Sequence, residues 1–470
     1  MVAGCTLKTN SWPEIEIGPL PPNESLALWR TDVETALAQA KTDNSPVIIY
    51  WGALWCPPCN YFKSQILEHS SFETDTKDWT KIYIDGDSDG AQGWGEQFSV
   101  VNYPTVLLIN KHGKEVQRFY EVLNYEEFKE RLNTSRDSVQ DMGELIQKAL
   151  TGEATEDEWA IVAAGAREHY QTQDLYDEAL LTELLPIHKR CPRLDTVHCD
   201  ALGYAMITAA LESSMHSEIA IAALKDVRWL SLWQKLVTTP ELALSFANHF
   251  QYIPGSLVSR LQLFEEQTDI SQTLPPLVAT FSQLFGDTSL TSAQRHNAGL
   301  AFYQLSRALF PDKDFKDAWF EAWFTLLDKS GSKAERRLIF PTIAKMLVKA
   351  NRSKELSSII ESRFQNDSSA WYQLFRAARS AAKGEDYPAA ISLMKESWKV
   401  SVGRSTVLQI VSRSAAIVAE FPAPFRCQNM RDIHRRWQSL VEPYKGSLRN
   451  RDKLAKETIE VAISNSECEF

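Results

Sequence analysis

An unbroken apolar run, Pro46-Val47-Ile48-Ile49-Tyr50-Trp51, leads almost at once into Trp55-Cys56-Pro57-Pro58-Cys59. A strand with no polar alternation is of the kind buried on both faces of its sheet. The segment after the cysteines, through Phe62, Ile66 and Leu67, has helical spacing. Strand, cysteine pair and helix in direct succession therefore fix the centre of an α/β fold.

The flanking segments extend that pattern. Thr31-Asp32-Val33-Glu34 reads as a capping box that starts a helix at Thr31, with Val33, Ala36, Leu37 and Ala40 on its apolar face. Lys81-Ile82-Tyr83-Ile84-Asp85 is a second buried strand. A polar, glycine-containing loop over 86–95 precedes a short helix at 96–98. Pro104-Thr105-Val106-Leu107-Leu108-Ile109 reads as a strand, Lys111-His112-Gly113-Lys114 as a hairpin turn, and 116–120 as the returning strand. Asn124 with Glu127 caps a last helix to Leu132. The order is α-β-α-β-α-β-β-α.

A chain of 470 residues is too long for one core, so further domains are expected. Residues 1–24, with Pro13, Pro19, Pro21 and Pro22, read as a tether or extended lead-in. Residues 25–135 hold the α/β pattern. Beyond 136 helical spacing recurs to the end, with no convincing strand. Thr155-Glu156-Asp157-Glu158 caps one helix, carrying Trp159, Val162 and Ala163. Leu374, Ala377, Ala378, Ala381, Tyr387 and Ala390 loosely resemble one tetratricopeptide-type hairpin. Without a fixed period, an irregular array of helical hairpins, in up to two subdomains, describes 136–470 best. Joints are expected near Pro254-Gly255, Pro275-Pro276 and Ser330-Gly331-Ser332.

Thiol–disulfide exchange needs one exposed thiolate to attack and a second thiol near enough to release the mixed disulfide. Two residues between cysteines at a helix start meet both needs. Cys56 lies where the helix N-terminus favours a thiolate, and Cys59, one turn inside, resolves. A zinc site would want a second cysteine pair or histidines at suitable spacing, and none is near in sequence. No phosphate-binding glycine loop, serine-centred elbow or His-Glu-x-x-His occurs, so no cofactor is called for.

Residues 28–133 resemble the thioredoxin superfamily, whose fold has this element order. The match includes the Trp-Cys-x-x-Cys motif and Tyr103-Pro104-Thr105, which corresponds to the family's cis-proline segment 45 residues after Cys59. The resemblance implies that Pro104 is cis and that its loop faces the cysteines, offering backbone groups to a substrate strand. A trans proline that simply starts a strand is the alternative. Trp55, Tyr103 and Pro104 are the expected substrate contacts, whereas Trp51 ends a buried strand and belongs to the core. Asn44-Ser45-Pro46 and the acidic loop after Asp85 look most like the C-terminal thioredoxin domain of DsbD-type reductases and related periplasmic proteins. The Trp-Cys-Pro-Pro-Cys motif also occurs in tryparedoxin- and nucleoredoxin-like proteins.

Two departures from the family stand out. Thioredoxins carry a buried carboxylate six residues before the first cysteine, and this chain has Tyr50 there, although Lys81 matches that carboxylate's lysine partner. Water, or the Tyr50 hydroxyl through water, would then have to accept the Cys59 proton. Pro57 and Pro58 also supply no N–H to the Cys56 sulfur.

Seven cysteines leave one over. Val2-Ala3-Gly4-Cys5 resembles the end of a bacterial lipoprotein signal, which makes Cys5 a lipidation candidate, although the basic and apolar segments of such a signal are missing before it. The remaining six sort by proximity into Cys56–Cys59, Cys191–Cys199 and Cys427–Cys468, which suits an oxidising compartment such as the periplasm. A cytoplasmic chain is the alternative, and there His188, Cys191, His198 and Cys199 would be metal-ligand candidates. The net charge of −11 argues against nucleic acid, with the basic stretch 426–456 read as a solvated helical face. No apolar run is long enough to cross a bilayer as a helix. Two functions compete. One is a thiol–disulfide oxidoreductase acting on protein disulfides, fed by an upstream thiol donor, with a helical region for clients. The other is a cell-envelope scaffold that uses the α/β domain for docking.

Overall fold

The computed structural model describes residues 12–13, 26, 28–88, 90–100, 102–120, 124–173, 175–191, 197–213, 217–226, 229–247, 274–309, 316–350, 352, 355–364, 367, 369–401, 404–441 and 450–468. Cys5, most of the lead-in and Pro254-Gly255 lie outside them. The chain forms two compact units. One comprises 24–86 and 91–338, the other 1–23, 87–90 and 339–470. The α/β fold thus shares a unit with the helices that follow it, and one boundary between the units falls at 23/24, beside the expected end of the lead-in.

In the first unit, β1 (Val47–Gly52) is buried at every position. It pairs in parallel with β2 (Thr80–Asp85) and antiparallel with β3 (Thr105–Ile109), which pairs antiparallel with β4 (Glu115–Phe119). The sheet order is β2-β1-β3-β4. Because side chains alternate along a strand, β1 serves two cores. Ile48 and Tyr50 meet Phe62, Ile66, Phe72 and Phe128 on one face. Val47, Ile49 and Trp51 meet Val33, Ala36, Ala40 and Ala91 on the other. These contacts place α1 (Val33–Asp43) and α4 (Ala91–Gln97) on one side of the sheet. On the other side lie α2 (Pro57–Phe62), its π-helical continuation Lys63–Leu67, α3 (Phe72–Asp75) and α5 (Tyr125–Arg136). The result is the thioredoxin-like α/β/α sandwich that the element order implied.

Local chemistry sets the ends of these elements, not always where expected. Asp32, rather than Thr31, caps α1, and its carboxylate accepts from the Thr35 N–H at 3.2 Å and from the Thr35 hydroxyl at 2.7 Å. Aspartate and threonine are both good caps, and the one whose side chain reaches the third N–H is the cap. Helix α4 begins at Ala91, five residues before its expected start, because Ala91, Trp94 and Phe98 pack on the sheet despite Gly93 and Gly95. Asn124 caps α5 as read, accepting from the Glu127 N–H at 2.9 Å, and the helix runs on to Arg136. The β3–β4 turn is held by Asn110, whose Oδ1 accepts from the His112 and Lys114 N–H groups at 2.9 Å each.

The outer strand β4 does not face water alone. Val116 joins the core of helices Met142–Thr151 and Glu156–Gln171, through Met142, Leu145 and Val162. Covering an outer strand in this way blocks pairing with another chain. The Thr155–Glu158 capping box is complete in both directions. Near the expected joint at Pro275-Pro276 a helix begins, and the residues before it lie outside the described ones. Both prolines sit in the first turn of helix Leu274–Gly286, where a proline's missing N–H removes no intrahelical bond. Ser330-Gly331-Ser332 does link two helices, Lys316–Lys329 and Lys333–Lys349.

The second unit is helical. Helices Ala370–Lys383 and Tyr387–Val400 form the expected hairpin, with Ala377, Ala378, Ala381, Ala390, Leu393 and Met394 buried. Trp12 is buried in the same unit. Its indole N–H donates to Asn429 Oδ1 at 3.1 Å, and its ring lies 4.4 Å from that of Trp398. No described helix is long and apolar enough to cross a membrane.

Candidate active site

Cys56 stands at the N-cap of α2, with Pro57 and Pro58 in the first turn. Proline is well placed there, since its fixed φ suits a helix start and it has no N–H to leave orphaned. The structure joins Cys56 to Cys59 as a disulfide, with Cα atoms 5.2 Å apart. The Cys59 N–H donates to Cys56 Sγ at 3.3 Å, and neither proline has an N–H to offer. Both cysteines are buried, at 3% and 0% exposure. Any thiolate formed on Cys56 therefore lies in the field of a helix N-terminus, with one backbone donor already aimed at it.

The Tyr103–Pro104 peptide bond is cis, and Tyr103 packs with Trp55 against Ala53, Cys56 and Cys59. The Tyr103 ring stands edge-on to Trp55 at 6.0 Å and stacks on Trp51 at 6.3 Å. Its hydroxyl donates to Gly86 O at 3.4 Å. A side chain at Gly86 would run into the Tyr103 ring, so glycine there keeps the aromatic frame closed. Trp51 is core, as expected, while Trp55 is half-buried at the rim of the cysteine cluster. The structure thus brings together Cys56, Cys59, Trp55, Tyr103 and Pro104.

Behind the cysteines the departure from thioredoxin is visible. Tyr50 is wholly buried, stacked on Phe62 and Tyr83, and its hydroxyl has no hydrogen-bond partner among the described residues. Burial first, then the charge of Asp85, pushes its pKa far above the ordinary phenol range, so the hydroxyl stays protonated. The ring also presses on Gly52, where a side chain would collide with it. Lys81 makes no hydrogen bond to the Tyr50 hydroxyl. The cross-strand neighbour of Tyr50 is Tyr83, and Lys81 pairs with Glu73 at 2.5 Å.

Sequence reading missed Asn60, the residue after Cys59. It is fully buried, and its amide donates to Leu54 O and Cys56 O, each at 2.9 Å. A polar residue on the core side of an otherwise apolar helix was the available signal. Also missed was the backing of the redox helix. Helix Ser292–Leu309 lies behind it, with Ala293 in the same core as Tyr61 and Phe62, and with Thr291, just before the helix, donating to Gln65 Oε1 at 3.1 Å.

Away from the site, Cys191 is joined to Cys199 and Cys427 to Cys468, with Cα separations of 6.0 and 5.3 Å. With both thiols of the first pair in a disulfide, the metal alternative loses its sulfur ligands. The His198 side chain lies outside the described residues. Among the described residues no group of three or more histidines, cysteines or carboxylates could hold a metal ion.

Comparison with known proteins agrees with the fold. Residues 28–111 match the family described as thioredoxin-like, and this part of the chain is a thioredoxin-like domain. A solved structure titled "DsbH Oxidoreductase" aligns over 23% of this chain and 82% of its own length, at 20% identity and a TM-score of 0.20. No curated protein matches the chain. A thioredoxin-like domain with a paired Cys-x-x-Cys belongs to the class of thiol–disulfide oxidoreductases.

Proposed function

We propose that this chain exchanges disulfides with protein clients through Cys56, in an exported setting, with the helical region serving to bind clients or partners. The observation that carries this reading is the Cys56–Cys59 pair at the start of α2, facing a cis-Pro104 loop. In the reducing direction the Cys56 thiolate attacks one client sulfur. A Cys56–client bond forms, the client S–S bond breaks, and the departing client sulfur takes up a proton. Cys59 then loses its proton and attacks Cys56 Sγ. The second client thiolate leaves, and the domain is left oxidised until an upstream dithiol reduces it. The oxidising direction is the same sequence reversed. Trp55, Tyr103 and Pro104 form the client-contact surface. Three disulfides among seven cysteines support an oxidising compartment, with Cys5 free for lipid attachment.

The test is turnover of an insulin-type disulfide substrate by the full chain, beside trapping of mixed disulfides with Cys59→Ser in cells. Turnover that Cys56→Ser abolishes, together with captured clients, is expected. A wild-type chain that neither turns over substrate nor traps any protein would leave the scaffold alternative standing.

A further inference from the structure

Asn60 contributes three of the hydrogen bonds around the residues that lead into the nucleophile. Its side-chain amide donates to Leu54 O and Cys56 O at 2.9 Å each, and its backbone N–H donates to Cys56 O at 3.0 Å. Pro57 and Pro58 remove the first-turn N–H groups that would otherwise reach the Cys56 sulfur. Cys59 N–H, at 3.3 Å, is the donor that remains, and its aim depends on where the Cys56 backbone (φ −75°, ψ 116°) points the sulfur. That backbone is what Asn60 holds. Meanwhile Asn60 Oδ1 is buried with no hydrogen-bond partner among the described residues. A buried acceptor without a donor is destabilising, and leucine has nearly the same branched shape without that cost. Packing alone does not call for an amide here.

We propose that Asn60 is a positioning residue for the nucleophile: by holding the Leu54 and Cys56 carbonyls, it keeps Cys56 Sγ on the Cys59 N–H and so favours the thiolate. The inference rests on the reading of Cys56 as the attacking thiol. It assigns to a side chain after the motif the control that Pro57 and Pro58 cannot exert within it.

The experiment follows alkylation of Cys56 against pH, residue by residue with mass spectrometry, in the full-length Cys59→Ser chain. Asn60→Leu and Asn60→Ala are then added to that background. Both should move the alkylation midpoint up by about one pH unit, which is about tenfold slower labelling on the acidic side. The limiting rate at high pH should stay the same. Folded variants that trace the parent profile would overturn the proposal. Loss of folding in both would also overturn it, since Asn60 would then be a stability residue. Failure of the underlying reading looks different. In that case Cys56 in the parent already titrates like an ordinary thiol, and Cys59 in a Cys56→Ser chain labels faster.

Discussion

At the residue scale, the acidic partner that thioredoxins bury beneath the resolving cysteine is replaced by a phenol that cannot take its place. Tyr50 holds its proton through the accessible pH range, its hydroxyl meets no described partner, and Lys81 is committed to Glu73. An unpaired buried hydroxyl costs stability in proportion to its lost hydration, about 1–3 kcal/mol. Tyr50→Phe removes that hydroxyl and keeps the stacking on Phe62 and Tyr83. The variant should be as stable as the parent or more so, by up to about 1 kcal/mol in urea unfolding. It should also release a preformed Cys56 mixed disulfide at the parent rate, because water then accepts the Cys59 proton. Release slowed by tenfold or more in stopped flow would instead make the hydroxyl part of the proton path.

At the element scale, the redox helix is supported from both ends. Its N-terminal turn is tied by Asn60, and its far side lies against helix Ser292–Leu309. Within that helix His296 is fully buried, edge-on to Trp323 at 4.7 Å, and its Nδ1 has no partner among the described residues. Burial pushes its pKa down to about 3. Between that value and the ordinary 6.5 the unfolded chain binds a proton that the folded chain refuses. Stability from this group is therefore complete above about pH 6.5 and falls by about 1.4 kcal/mol per unit below it. Equilibrium unfolding at pH 7 and pH 5 should show a loss of roughly 2 kcal/mol that His296→Leu removes. Equal losses in parent and variant would show that the histidine is hydrated or paired after all.

At the scale of the whole molecule, what could be read from sequence was what neighbours in the chain decide. The continuous apolar β1, the Thr155–Glu158 box and the Asn124 cap are each determined by a few adjacent residues, and each is found where expected. The choice of Asp32 over Thr31, the extension of α4 through two glycines, and the placing of Pro275-Pro276 inside a helix depend on geometry or packing that adjacent residues do not settle. Asn60 shows in the sequence only as a polar residue on the core side of its helix, and its role stays hidden because its partners are backbone carbonyls. Trp12 was hidden because its partners, Trp398 and Asn429, are hundreds of residues away.

The cysteines carry that contrast into a measurement, since their pairing was read by proximity and each pair is joined in the structure. Cys191–Cys199 closes a loop of sequence separation 8, and Cys427–Cys468 ties the last residues to helix Ala423–Val441 across a separation of 41. Each closure restricts the unfolded chain and contributes about 2–4 kcal/mol. Cys56–Cys59 spans only 3 residues, so it restricts the unfolded chain least, and it stands at a helix N-terminus that stabilises its reduced thiolate. It should be the easiest to open. The native, unreduced chain should show no titratable thiol beyond Cys5. Mild dithiothreitol should release two thiols, assigned by mass spectrometry to Cys56 and Cys59, and four more should appear only under denaturing reduction. Thermal unfolding after the first step should be nearly unchanged, and after the second it should drop sharply. Four or more thiols in the native, unreduced protein would overturn both the pairing and the oxidising compartment it supports. A first release from Cys191 or Cys427 would overturn the division between one working disulfide and two structural ones.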